Sequence, residues 1–301
     1  MKRAALVAAA VCAVPGAAHA LRLPAARGCP IFPKTNAWNA RVDRLPVAAD
    51  SRAVLATIGV NTGLHADFGS GLYAGGRIGI PFDVVSSQTP RVPVGFLYSG
   101  ESDHVRYPIP RNVHVEAGSD SHALLVDRSA CRLYELYDLQ RTGGGWHAGS
   151  GAVWNLRSNR LRPAGWTSAD AAGLPIFPGL ARYDEVRRGV IDHALRFTVQ
   201  RTRRAYVWPA RHYASSLTDA NLPPMGLRVR LKASFDTSGF PRQARIVLEA
   251  LKRYGMMVAD NGSNWFISGA PDPGWSNDDL HTLGRVRGSD FEFVDTSPLQ
   301  P

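Results

Sequence analysis

Hydrophobic and polar residues alternate over short stretches of this chain, with the period of two that is typical of β-strands. Residues 227–233 (LRVRLKA) alternate strictly, and residues 191–199 (IDHALRFTV) are rich in β-branched and aromatic side chains. Residues 122–127 (HALLVD) and 132–138 (RLYELYD) flank the short segment RSAC. The last two segments therefore predict a β-hairpin whose strands are buried on both faces.

Weaker strand patterns occupy much of the remaining chain. They cover Phe82–Ser86, Arg91–Tyr98, Ala152–Leu156, Met256–Ala259 and Trp265–Ser268. Pro90 and Pro93 predict that the second of these is an edge strand, because proline cannot donate a hydrogen bond to a neighbouring strand. The last two flank residues 260–263 (DNGS), a strong turn signal that predicts a second hairpin.

Helical periodicity is confined to a few short segments. Helices are predicted at Asp50–Ile58, near Thr167–Ser168, and at Tyr183–Arg188, Arg242–Tyr254 and Asp278–Leu283. Pro241 in the first turn and Gly255 after the last make the fourth the clearest of them. Many short strands together with 29 Gly and 21 Pro predict a mainly β fold. We expect a single domain over residues 21–301, a β-sandwich or barrel-like body with a few short peripheral helices.

The first twenty residues have the three parts of a secretory signal. Lys2 and Arg3 precede an apolar run, and Ala18-His19-Ala20 matches the A-x-A cleavage pattern. The run is about eleven residues long, whereas a spanning helix needs roughly twenty. The sequence therefore predicts cleavage near Ala20, a secreted protein (extracellular or periplasmic), and no membrane insertion afterwards.

Cleavage at that point removes Cys12 and leaves two cysteines, Cys29 and Cys131. In an oxidising compartment two remaining cysteines most simply form one disulfide. The alternative is a nucleophilic thiol, which needs a nearby histidine and a reducing environment. We expect the disulfide, which would tie the proline-rich N-terminal arm to the middle of the chain.

The formal net charge is +10, and the basic residues are mostly arginines scattered along the chain. Nucleic-acid binding sites usually concentrate such residues in one patch or stripe, so this distribution argues against a nucleic-acid partner. The positive balance does favour an anionic polymer, such as an acidic polysaccharide.

Residues 146–166 (WHAGSGAVWNLRSNRLRPAGW) combine three tryptophans with amides and arginines in a glycine-broken segment. Aromatic faces stack on sugar rings, while amide and guanidinium groups bond hydroxyls or carboxylates. Burial of the tryptophans beneath a loop is an equally weighted alternative. The substrate-binding candidates are Trp146, Trp154, Asn155, Arg157 and Trp166 here, with Trp208 and Arg211 from the later segment YVWPARHY.

Four residues are candidates for acid or base chemistry: His193, Tyr206, His212 and Glu135. A histidine near a tyrosine, with an arginine to neutralise a carboxylate, fits proton abstraction from a uronic acid. Glu135 lies in an otherwise apolar strand, and burial there would raise its pKa as a general acid of glycoside hydrolysis requires. Each of the two histidines is still more often structural than catalytic.

No phosphate-binding loop, G-x-S-x-G, H-E-x-x-H or C-x-x-C motif occurs in the sequence. We therefore predict no cofactor and no metal site; Asp278, Asp279 and His281 are a weak metal candidate because the two aspartates point apart on a helix.

Several long segments resemble a family of uncharacterised secreted bacterial proteins. They are GSGAVWNLRSNRLRPAGWTSADAAGLPIFPGLARYDEV, HALRFTV, YVWPARHYASS and LPPMGLRVRLKAS. The resemblance covers most of the chain after residue 20 and implies a shared fold and export, without a catalytic residue or substrate.

Two functions follow as expectations from these features. The first is a secreted carbohydrate-active enzyme, a glycoside hydrolase or polysaccharide lyase. The second is a non-catalytic glycan- or cell-wall-binding protein that uses the same aromatic segment.

Overall fold

The structure is a computed structural model that describes residues 21–73 and 75–301. Within those residues there are seventeen strands and four α-helices. Strands β1 to β17 span His65–Asp67, Leu72–Tyr73, Gly76–Arg77, Phe82–Val85, Arg91–Val92, Val94–Phe96, Tyr107–Pro108, Ala123–Asp127, Arg132–Tyr137, Gln140–Thr142, Gly145–Ala148, Ser150–Asn155, Leu195–Val199, Arg228–Leu231, Met256–Asn261, Phe266–Ser268 and Phe291–Phe293. Helices α1 to α4 span Ser51–Ile58, Tyr183–Arg188, Arg242–Arg253 and Asn277–His281.

The largest sheet has six strands in the order β1-β16-β13-β15-β14-β17. Its central strand β13 is almost wholly buried, and Leu195, Phe197 and Val199 pack into the core. Helix α3 buries the face formed by Ala244, Val247, Leu248 and Leu251 against the same core. The apolar stripe at helical spacing thus explains why α3 is the longest helix of the described chain.

The hairpin predicted around residues 260–263 is wrong, because β13 lies between the two strands that flank the turn. Strand β13 pairs parallel to β15 and antiparallel to β16. The connection bonds to the end of β13: Gly262 N donates to Val199 O at 3.0 Å, and Thr198 Oγ1 donates to Ser263 O at 2.7 Å. A buried strand such as β13 needs partners on both edges, and this requirement overrides the local turn signal.

A second sheet has four strands in the order β12-β9-β8-β4. Strands β8 and β9 form the predicted antiparallel hairpin, with β12 added antiparallel and β4 parallel. Separate apolar clusters contain residues of this sheet that point to opposite faces, which confirms burial on both sides. The remaining strands form the sheets β10-β11-β6, β2-β3 and β5-β7.

The mainly β fold with a few short helices is therefore confirmed, and no sheet of the described residues closes into a barrel. All the predicted helices except one are present, within one or two residues of the expected ends. The exception is the helix expected near Thr167, where the chain forms a bonded loop instead. The predicted strand at residues 91–98 is interrupted at Pro93, which separates β5 from β6.

The sulfur atoms of Cys29 and Cys131 lie at disulfide distance, with the two Cα atoms 5.2 Å apart. This pair attaches the N-terminal arm to the β8–β9 turn, as expected. Residues 21–73 and 75–301 contain no helix that is long and apolar enough to cross a bilayer. The predicted signal at residues 1–20 lies outside the described residues.

Candidate functional site

A cavity of about 380 Å³ opens where the two large sheets approach each other; we call it the Asp260 cavity. Strands β9, β12 and β15 contribute to its wall together with residues from four other parts of the chain. It is lined by Tyr98, Glu101, Asp120, Tyr137, Ser150, Thr167, Ser168, Ala169, Asp170, Ala171, His212, Ala214, Asp260 and Asn261. Acidic, aromatic and histidine side chains thus share one concave surface.

A buried guanidinium holds two carboxylates at the base of this cavity. Arg196, on β13, donates from Nε and Nη2 to the two oxygens of Asp170, both at 2.9 Å. The same Nη2 donates to Asp260 Oδ2 at 3.2 Å, and Nη1 donates to Ser268 Oγ at 2.7 Å. One nitrogen therefore contacts both carboxylates, which brings their oxygens close together.

A β-bulge sets the position of Asp260. Val258 pairs with Phe197, but the next pair is Thr198 with Asp260, so Ala259 is an extra residue on β15. The carbonyl of Ala259 accepts a hydrogen bond from Ala172 N at 2.9 Å. An extra residue redirects the side chains that follow it, and bulges recur beside active sites for this reason.

The environment of Asp260 favours its neutral form. Burial raises the pKa of Asp260 to about 7, and the negative charge of Asp170 adds to the effect while Arg196 opposes it. The Asp260 side chain keeps 21% of its surface exposed, whereas that of Asp170 is fully buried. Asp260 is therefore the member of the pair that can exchange a proton with a molecule in the cavity.

The loop that carries Asp170 is held by Arg162, which is itself buried. Arg162 donates to Asp103 Oδ2 at 2.6 Å, to the carbonyl of Glu101 at 2.6 Å and to the carbonyl of Thr167 at 2.7 Å. The bond to Thr167 satisfies a carbonyl of a segment that has no regular structure, and the bond to Glu101 ties that segment to the short helix Ser99–Glu101. They fix the cavity wall in place of the helix predicted there.

His212 lines the cavity with its tautomer set by the backbone. Its Nδ1 lies 2.8 Å from the carbonyl oxygen of Ala171, so Nδ1 carries the proton. Nε2 has no hydrogen-bond partner among the described residues. In the neutral ring Nε2 therefore carries a lone pair that can accept a proton. Gly173 lies beside the backbone of His212 with φ +68°, a conformation that favours glycine, and a Cβ there would lie 2.5 Å from Trp166 O.

Two further titratable groups are buried behind the cavity. His122 Nδ1 bonds Glu116; burial favours the neutral ring, but the bond and charge of Glu116 outweigh it and raise the pKa of His122. Glu135 accepts the backbone N–H groups of Ile176 and Phe177 at 3.0 and 2.8 Å. Burial raises the pKa of Glu135 to about 7 although those N–H groups oppose the shift. Glu135 does not line the cavity, so its catalytic role remains a prediction without a contact to support it.

The other predicted catalytic residues lie elsewhere. His193 Nε2 lies 3.1 Å from Glu185 Oε2, in a buried group with Arg182. Tyr206 stacks on Tyr213 with ring centroids 6.5 Å apart. Of the four sequence candidates, only His212 lines the Asp260 cavity.

The predicted substrate-binding residues are divided among several places. Trp154 and Trp208 line a second cavity of about 320 Å³, the tryptophan cavity, together with Trp38, Asn159 and Arg160.

The remaining five do not line either cavity. Trp146 lies beneath Arg141 in the small sheet, and Trp166 lies beneath Arg162. Asn155 and Arg157 are exposed and bond each other, since Arg157 N donates to Asn155 Oδ1 at 3.0 Å. Arg211 donates from Nε to the carbonyl of Arg162 at 2.9 Å and so supports the cavity loop.

Sequence reasoning missed most of the Asp260 cavity. Residues 260–263 predict a turn, and the helix expected near Thr167–Ser168 takes in Asp170, so neither aspartate stands out as a cavity residue. The available signal was Arg196, an arginine between the apolar residues Leu195 and Phe197, because a buried guanidinium needs buried acceptors and a carboxylate is the strongest of them. Tyr98 and Tyr137 gave no distinguishing signal.

Comparisons with protein-family models, with curated proteins and with solved structures found no match to this chain.

Proposed function

We propose that this protein is a secreted carbohydrate-active enzyme, a glycoside hydrolase, with its reaction centre in the Asp260 cavity. The observation that carries the proposal is the arginine-bridged pair of carboxylates, of which Asp260 has its pKa raised to about 7 and reaches the cavity. Glycoside hydrolysis needs a carboxyl group that is protonated near neutral pH to protonate the leaving oxygen.

Five residues in and behind the cavity have a role in the proposed reaction. The Asp260 carboxyl donates its proton to the glycosidic oxygen as the bond to the anomeric carbon breaks. His212 Nε2 accepts a proton from a water molecule, and the resulting hydroxide adds to that carbon. The Ala171 carbonyl stabilises the protonated imidazole through Nδ1. Arg196 holds Asp260 in position through its hydrogen bond, and burial together with the charge of Asp170 raises the pKa of Asp260.

Aromatic groups in the cavity suit a sugar ring. Tyr98 is 51% exposed and Tyr137 is half-buried, and both line the cavity. Tyrosine offers a flat apolar face and a hydroxyl, the combination that binds pyranose rings. Hydrolysis is favoured over the lyase reaction because a lyase must neutralise a uronate carboxylate, and no arginine or lysine of the described residues lines this cavity.

The experiment is a screen of soluble neutral, acidic and amino polysaccharides for new reducing ends. Asp260→Asn keeps the shape of the side chain and removes the proton, and we expect it to lower kcat by about a hundredfold or more, the usual size of general acid–base catalysis. His212→Ala should lower kcat by a similar factor. Asp278→Asn is the control, because this exposed residue lines no cavity described above.

The design separates the possible outcomes. Reducing ends that form together with the ultraviolet absorbance of an unsaturated uronate would replace hydrolysis by a lyase reaction. Equal turnover by Asp260→Asn and the wild type would show that the reaction does not take place in this cavity.

The tryptophan cavity supports a second candidate, a non-catalytic glycan-binding protein. Its wall combines Trp154 and Trp208 with the polar side chains of Asn159 and Arg160. No turnover on the whole panel, with glycan binding that Trp208→Ala weakens and Asp260→Asn leaves intact, would favour this candidate.

A further inference from the structure

The Asp260 cavity is acidic although the whole chain carries a net charge of +10. Four carboxyl side chains line it, those of Glu101, Asp120, Asp170 and Asp260. Arg196 lies behind the last two and compensates the charge of Asp170, while Asp260 favours its neutral form. The two carboxyl groups left without a compensating partner among the described residues are those of Glu101 and Asp120. The basic residues of the surface therefore do not determine the sign of the charge that a bound molecule would meet.

Two of these carboxylates lie where a ligand can reach them. Asp120 is exposed, and Glu101 is partly exposed, with Oε2 accepting a hydrogen bond from Thr167 N at 2.8 Å. Neither side chain has an ion-pair partner among the described residues. Arg162 donates to the backbone carbonyl of Glu101, but its ion pair is with Asp103 and not with the Glu101 carboxylate.

The pKa of Tyr137 is affected by the same negative charges. Burial raises the pKa of Tyr137, and the negative charges of Asp120 and Asp138 raise it further. A group that becomes anionic on this wall is thus disfavoured, and a cationic group is favoured for the same electrostatic reason.

We propose that the sugar unit bound in the Asp260 cavity carries a free amine, held as an ammonium group by Asp120 and Glu101. This inference rests on the proposed function, and it replaces the acidic polysaccharide expected from the net charge alone. An ammonium group has three donors, which suits two carboxylates beside sugar hydroxyls. Tyr98 and Tyr137 would contact the ring of the same unit.

The test compares two oligosaccharides of the same linkage and length, one of 2-amino-2-deoxyhexose units and one with every amine acetylated. Acetylation removes the positive charge and keeps the sugar chain. We expect the free-amine form to bind more tightly by calorimetry and to be cleaved with the higher kcat/KM, with a preference that weakens as salt is added.

Two isosteric variants locate the preference. Asp120→Asn and Glu101→Gln should each reduce affinity for the free-amine oligosaccharide about two- to fivefold, the size of an exposed ion pair, and leave the acetylated form unchanged. Asp278→Asn should change neither, because it removes an exposed carboxylate that lines no cavity described above.

The outcomes distinguish this inference from the proposed function. If both oligosaccharides are cleaved at equal rates and Asp260→Asn cleaves neither, the amine preference is wrong and the proposed hydrolase activity stands. If the free-amine oligosaccharide binds more tightly but neither oligosaccharide is cleaved, the amine preference stands and the proposed hydrolase activity is wrong. Tighter binding of the acetylated form, or of a uronate oligosaccharide, would overturn the inference.

Discussion

Glu135→Gln should alter the pH dependence of stability more than stability at any one pH. Glu135 is fully buried, and its oxygens accept N–H bonds from Ile176 and Phe177. Glutamine keeps the shape and one acceptor oxygen, but it cannot ionise. The variant therefore removes the cost of a buried negative charge and retains part of the backbone hydrogen bonding.

The magnitude follows from the pKa of the group in the folded and unfolded chains. Burial raises the pKa of Glu135 from 4.5 to about 7 in the folded protein. The stabilising effect of the bound proton is complete below the unfolded pKa and is lost as pH rises through about 7. From pH 4.5 to pH 8 the wild type should lose about 3 kcal/mol through this group alone.

The assay is chemical denaturation of both proteins at a series of pH values, without reductant. The difference in unfolding free energy should move by about 3 kcal/mol in favour of Glu135→Gln between pH 4.5 and pH 8. The constant cost of the glutamine amide cancels in this comparison. A difference that stays the same across the series would show that Glu135 is not a buried group with a raised pKa.

Two further predictions concern stability. Thiol titration of the unfolded chain expressed from residue 21 should find no free cysteine, and two titratable thiols would contradict the pairing. Cys29→Ala with Cys131→Ala should cost about 2–5 kcal/mol, since the bond joins residues 102 positions apart. Arg196→Met should lower the unfolding free energy by about 3–5 kcal/mol because it leaves Asp170 buried without a cation. Arg253→Met breaks a half-exposed pair with Glu249 and should cost less than about 1 kcal/mol; equal losses in the two variants would refute the reasoning.

Local sequence patterns were sufficient to predict the elements whose structure is determined by residues close together in the chain. The β8–β9 hairpin and helix α3 follow from alternation and from an apolar stripe, and Ser276 caps α4 by accepting from Asp279 N at 3.1 Å. The cysteine pair followed from the number of cysteines left after residue 20.

The insertion of β13 between β15 and β16 could not be predicted in this way. It depends on contacts between residues more than sixty positions apart, such as the bond from Thr198 to Ser263. The candidate site depends on the same event, because the bulge that directs Asp260 forms only when β15 pairs with β13. The aromatic segment at residues 146–166 was conspicuous in sequence, yet it supports the cavity mainly through Arg162.

The pH profile of kcat/KM tests the central claim most directly. It should be measured from pH 5 to pH 9 on the most rapidly cleaved glycan, for the wild type and Asp260→Asn. The proton on Asp260 is lost as pH rises through about 7, so wild-type kcat/KM should fall about tenfold per pH unit above that value. Residual activity of Asp260→Asn should be at least about a hundredfold lower and should lack this decline. A decline with the same midpoint in the variant, or wild-type activity that rises through pH 9, would contradict the account.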